Sequence, residues 1–89
     1  SMDFQLIDVR EPYEFDIANI GGTLIPLGEI EKRIHEISSS KKVIIHCRSG
    51  ARSAKAIKKL EQMGFKNCIN LEGGILAWAN QIDPSLPKY

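Results

Sequence analysis

Apolar residues come along this chain in short runs whose spacing alternates between strand-like and helix-like. Residues 4–9 (Phe-Gln-Leu-Ile-Asp-Val) read as a strand. Pro12 suits the first turn of a short helix over residues 13–17. Gly21-Gly22 breaks the chain, and residues 23–26 form a short strand closed by Pro26. Leu27, Ile30, Ile34 and Ile37 then recur at helical spacing, which predicts an amphipathic helix over residues 27–37. Ser38, Ser39 and Ser40 end it. Val43, Ile44 and Ile45 are β-branched and uninterrupted, the composition of a strand buried on both faces, here running to Cys47. Residues 53–63 read as a helix with Ala56, Ile57, Leu60 and Met63 on one face, and Gly64 as the positive-φ residue that ends it. Residues 67–71 give a last strand. Gly73-Gly74 turns the chain into a helix whose Ile75, Trp78 and Ile82 are assigned to the core, until Asp83-Pro84 stops it.

Strand and helix therefore alternate four times. That order predicts an α/β fold: a small open parallel sheet of about four strands with helices on both faces. Sheets of this kind carry their sites at the carboxyl ends of the strands. Cys47, Asp8 and Arg10 all fall at such ends.

With 89 residues the chain suffices for one small domain. Ser1-Met2 reads as a cloning remnant, which leaves a domain over residues 3–89. There is no membrane-length apolar run and no signal-peptide pattern, so a soluble, cytoplasmic protein is expected. The two cysteines, Cys47 and Cys68, make no disulfide framework, and no ligand spacing suggests a metal or cofactor. A net charge of +1 argues against nucleic acid as a partner. The charge is unevenly spread. Residues 1–36 hold eight acids and three Lys/Arg, whereas residues 41–59 hold seven Lys/Arg and no acid. That basic run brackets Cys47 and would attract anions.

The stretch His46-Cys47-Arg48-Ser49-Gly50-Ala51-Arg52-Ser53 places a thiol between a strand end and a helix start. Backbone N–H groups and the helix dipole there favour a thiolate. Cys47 is the candidate nucleophile. Arg48 and Arg52 are candidates for binding an anionic substrate, and Gly50 for turning the loop with its amides inward. The bland alternative is a small buried hydrophobe, and a sulfur sealed from solvent would favour it. Cys68, within a short strand, is expected to be structural. His46 should point away from the sulfur and pack or hydrogen-bond. Asp8 and Arg10, two residues apart on one side of a strand, are expected to support the site as an ion pair rather than to react.

Four segments together resemble the rhodanese (sulfurtransferase) domain: Asp8-Val9-Arg10-Glu11; Leu24-Ile25-Pro26-Leu27; the loop from Ile45 to Ser53; and Leu71 to Trp78. The ending through Asp83 to Pro87-Lys88-Tyr89 is similar to the rhodanese domain of adenylyltransferase–sulfurtransferase fusions. The resemblance implies a thiosulfate sulfurtransferase-like enzyme that carries sulfane sulfur as a persulfide on Cys47, with residues 48–53 as the substrate-binding loop. It implies an anionic donor, thiosulfate or a desulfurase persulfide. It also implies a ubiquitin-like sulfur-carrier acceptor in molybdopterin, thiamine or thiolated-tRNA synthesis, and an adenylyltransferase domain in a longer parent chain. The short strand and helix that usually precede Asp-Val-Arg in such domains are not in this sequence.

Two rivals remain. Cysteine phosphatases and arsenate reductases need five residues between Cys and Arg; here four separate Cys47 from Arg52, so the loop is too tight for a tetrahedral oxyanion. Negligible phosphatase activity is expected. The other rival is a non-catalytic rhodanese-like docking module.

Overall fold

The computed structural model describes residues 3–89, so the reading of Ser1-Met2 lies outside the described residues. Four parallel strands, β1 (Phe4–Asp8), β2 (Thr23–Leu24), β3 (Lys42–His46) and β4 (Cys68–Asn70), form one sheet in the order β2-β1-β3-β4. The helices are α1 (Pro12–Ile17), α2 (Ala51–Gln62) and α3 (Gly74–Gln81). The expected α/β architecture is therefore the one observed.

Register fixes what meets at the sheet's upper edge. Asp8 pairs with His46, and Ile45 with Asn70. After β1 the chain moves one way to β2; after β2 it returns across β1 to β3 and continues to β4. Right-handed crossovers then put α1 and α2 on opposite faces. The carboxyl ends of β1 and β3 flank this reversal, where open α/β sheets leave a crevice.

The main core lies under α2. Ile7, Val9, Ile25, Ile30, Ile37, Val43, Ile45, Ala56 and Leu60 are buried together, and Cys47 borders them. Along β3, Val43 and Ile45 share this face, as the period of two requires.

Two expectations need correction. Residues 27–37 are not an α-helix but two single 3₁₀ turns, Leu27–Glu29 and Ile34–Glu36. Ile30 and Ile37 are buried and Leu27 and Ile34 pack beside them, so the apolar face was correctly placed. Gly28 and three β-branched isoleucines support a longer helix poorly, and Arg33 leaves helical geometry at φ −110°, ψ 24°. In α3, Ile75 and Ala79 are buried, but Trp78 is half-buried and Ile82 is 63% exposed. The helix packs through its i, i+4 pair, and Ile82 lies beyond its last turn.

Candidate active site

Cys47 follows directly on β3, and the chain leaves the sheet through Arg48 and Ser49 into α2. Gly50, at φ 117°, is the residue before that helix. Few residues other than glycine tolerate this conformation. It aims the amides inward: Gly50 N–H donates to Cys47 Sγ at 3.1 Å, and Ser53 N–H at 3.4 Å. Burial acts to raise the thiol pKa, but the hydrogen bonds from Ser53, Gly50 and Ser49 outweigh it and hold Cys47 below the ordinary thiol range.

A solvent-facing sulfur is not what the structure shows. Cys47 is only 1% exposed. What encloses it matters, though. A structural cysteine packs against hydrocarbon, whereas this sulfur accepts two amide N–H groups from its own loop. Cys68 behaves differently: burial raises its thiol. It pairs with Val43, four residues before Cys47 along the sheet, hence about 13 Å away at strand spacing. It is too distant to form a disulfide with Cys47.

The far side of the loop is braced by α3. Ile75 N–H donates to Cys47 O at 2.9 Å and Leu76 N–H to Arg48 O at 3.1 Å. The first-turn amides of α3 are thereby satisfied by loop carbonyls. Gly74 makes this possible: a Cβ there would lie 2.5 Å from both of those oxygens.

The arginines are placed near the loop but are engaged. Arg52 forms a two-pronged pair with the Glu14 carboxylate, Nη2 lying 2.8 Å from Oε2. Arg48 stacks over the Tyr89 ring, its guanidinium carbon 5.0 Å from the centroid. Sequence reasoning missed Glu14 and Tyr89 as site residues. Glu14 is buried, and its carboxyl is held down to about 2, chiefly by Arg52, with burial opposing and the Glu11 backbone and Tyr89 assisting. Tyr89 O–H donates to Glu14 Oε2 at 2.9 Å and accepts from Arg10 Nη1 at 2.6 Å. The available signals were weak: Glu14 stands three residues after Glu11 at a helix start, where it caps the Glu11 N–H at 3.1 Å, and Tyr89 ends the segment that carried the family likeness.

Asp8 and Arg10 form the expected ion pair, fully buried, with Nη2 2.7 Å and Nε 2.9 Å from the two carboxylate oxygens. Arg10 also donates to Ala18 O at 2.6 Å and Glu14 O at 3.3 Å, so it ties α1 to the end of β1. Neither residue bonds the sulfur. The His46 ring turns toward Asp8, with Nε2 3.6 Å from Oδ2, and burial pushes the imidazole below its usual range, with Asp8 opposing. Ser49 and Ala51 are exposed at the loop's rim, and Ser53 is buried beneath it.

Such a site suits chemistry in which a sulfur anion forms and re-forms at one atom. Similarity to known proteins extends over most of the chain. The family model described as "Rhodanese-like domain" matches residues 1–81. The chain is 38% identical over 87 residues to the probable adenylyltransferase/sulfurtransferase MoeZ of Mycobacterium tuberculosis, covering 94% of this chain and 22% of MoeZ. It is 44% identical over 78 residues to a sulfurtransferase of Allochromatium vinosum, covering 86% of this chain and 73% of that protein. A solved rhodanese-like domain protein from Staphylococcus aureus superimposes with a TM-score of 0.83 at 32% identity, covering 100% of this chain and 84% of the other. The chain thus spans about a fifth of the MoeZ length but most of the Allochromatium protein.

Proposed function

Because the chain belongs to the rhodanese-like domain family, we propose that it is a sulfurtransferase carrying sulfane sulfur as a persulfide on Cys47. The observation behind this is the cradle, two amide donors at 3.1 and 3.4 Å from a sulfur at the carboxyl end of a central strand. Backbone amides stabilise negative charge without themselves moving. The Cys47 thiolate attacks the outer sulfur of thiosulfate. The bond from that sulfur to the sulfite group breaks, and its electron pair leaves with sulfite. A persulfide anion remains on Cys47. An acceptor nucleophile then takes the terminal sulfur and returns the thiolate; with cyanide the product is thiocyanate. Between thiosulfate and cyanide no external oxidant or reductant is needed.

Arg48 is the guanidinium we assign to the incoming donor. Arg52 spends two of its N–H groups on Glu14 and acts through its remaining field, which reaches Cys47. For the cellular acceptor we propose the adenylated carboxylate of a ubiquitin-like sulfur carrier in the cytoplasm, within molybdopterin, thiamine or tRNA-thiolation chemistry. This acceptor is an electrophile, so the terminal persulfide sulfur attacks its carbonyl carbon and AMP leaves. An external thiol then cleaves the S–S bond, releasing the thiocarboxylate and forming a disulfide with Cys47. The likeness to MoeZ, named as both adenylyltransferase and sulfurtransferase, supports this. The enclosure of Cys47 favours a second reading, a docking module with an idle cysteine.

Intact-mass spectrometry after incubation with thiosulfate separates the two. The parent gains one sulfur atom, Cys68→Ser does likewise, and Cys47→Ser gains none. An unmodified parent, or a gain that survives Cys47→Ser, overturns the proposal.

A further inference from the structure

Asn70 ends β4 and plays no part in the reaction above, yet one atom links its side chain to the nucleophile. The Ser53 hydroxyl oxygen lies 2.6 Å from Asn70 Oδ1, 3.0 Å from Gly50 O and 3.5 Å from Cys47 Sγ. Asn70 Nδ2 donates to Gly50 O at 3.3 Å. Gly50 O can only accept, so the NH₂ end of the amide must face it. That turns Oδ1 onto the Ser53 oxygen. Two oxygens at 2.6 Å need a proton between them, and an amide oxygen has none to give. The proton is Ser53's, and Ser53 has only one. Gly50 O, at 3.0 Å, is a second and more distant acceptor for that proton. While the proton lies on either oxygen, Ser53 can accept from a Cys47 S–H but cannot donate to a Cys47 thiolate. Ser53 is fully buried, so water does not supply it a second proton, while Asn70 is half-buried.

We propose that Asn70 is a positioning residue that sets the readiness of Cys47 by competing with its sulfur for the Ser53 proton. This rests on the reading of Cys47 as the nucleophile. With a thiol, the chain runs from Cys47 S–H to the Ser53 oxygen, and from the Ser53 O–H to Asn70 Oδ1. When the sulfur loses its proton to solvent base, the Ser53 O–H rotates about its Cβ–Oγ bond onto the charged sulfur. Asn70 Oδ1 is then left without that donor, which opposes ionisation. Once a persulfide forms, the negative charge moves to the outer sulfur and the Ser53 proton returns to Asn70. The hydroxyl thus follows the sulfur through its cycle without any further bond changing.

The test is the pH dependence of Cys47 alkylation by iodoacetamide, followed by peptide mass, which needs no sulfur transfer. Asn70→Ala removes the nearer acceptor and leaves only the more distant Gly50 O to compete for the Ser53 proton, so at pH values below the parent's midpoint the reaction becomes roughly three- to tenfold faster, at most the worth of about one hydrogen bond. The near-isosteric Asn70→Asp holds the proton more firmly and adds charge, so it slows the reaction. Ser53→Ala also slows it, and in that background Asn70→Ala changes the rate less than about twofold. A slower or unchanged Asn70→Ala, or an effect that persists undiminished without Ser53, overturns the proposal. If the parent Cys47 titrates like an ordinary thiol, the nucleophile reading falls with it. If the parent ionises readily and the Asn70 variants leave its profile unmoved, only the role of Asn70 falls.

Discussion

Glu14 shows what a single side chain can join. It caps α1, holds Arg52 beside the loop and receives the Tyr89 hydroxyl. Its carboxyl sits at about 2 rather than the usual 4.5, so in the folded state it stays ionised where an unfolded chain would protonate it. A depressed carboxyl contributes stability above the unfolded value and loses it as the pH falls through the folded one. Acid destabilisation between about 4.5 and 2 should therefore be partly Glu14's. Glu14→Gln should cost about 1–3 kcal/mol at pH 7, since Arg52 is only partly desolvated, and should flatten the acid limb. Urea denaturation across pH checks this; parallel acid limbs for parent and variant would exclude it. The sequence made Cys47 and Gly50 legible because their relation is local. Arg52 with Glu14, Tyr89 with Glu14 and Ser53 with Asn70 are 38, 75 and 17 residues apart, and no local pattern encodes such partners.

Elements were legible where the hydrophobic period and the backbone agreed. α2 begins two residues before the expected start, because Gly50 lets the chain enter the helix at once after the loop. The segment after β2 kept its apolar face and changed its backbone, since a face is set by side-chain spacing while helix type also depends on Gly and β-branched content. The Gly73-Gly74 turn has φ values of 78° and 60° and seats α3 on the loop carbonyls. Gly74→Ala should destabilise the domain by roughly 2–3 kcal/mol or more, through a clash and a strained φ. Gly28→Ala, with nothing within 4 Å of its Cβ, should change stability by less than about 1 kcal/mol. Thermal unfolding of both variants decides the matter; equal losses would mean that α3 does not need its close approach.

Over the whole molecule, topology concentrates function. The reversal between β1 and β3 gathers Asp8, His46 and the Cys47 loop at one edge. It also redistributes the basic run that looked continuous in sequence. Lys41 and Lys42 lie at the opposite end of β3, about 16 Å from Cys47 at strand spacing and beyond the ~8 Å screening length of physiological salt. Arg48 and Arg52 remain as the near charges. Arg52→Ala should lower kcat/KM for thiosulfate several-fold more than Lys58→Ala, which lies on the exposed side of α2. Steady-state kinetics at low and physiological salt checks this, and equal effects would remove Arg52 from the site. No helix among the described residues is long and apolar enough to cross a membrane.

The ionised state of one enclosed sulfur can be measured directly, with Cys68 as an internal reference. Native protein is alkylated with iodoacetamide across pH, and each cysteine is followed by peptide mass. Cys47 should react with a midpoint below that of an ordinary thiol, and Cys68 with one above it. Matching midpoints, or a Cys47 that reacts only after unfolding, would contradict a thiolate held ready by its loop amides.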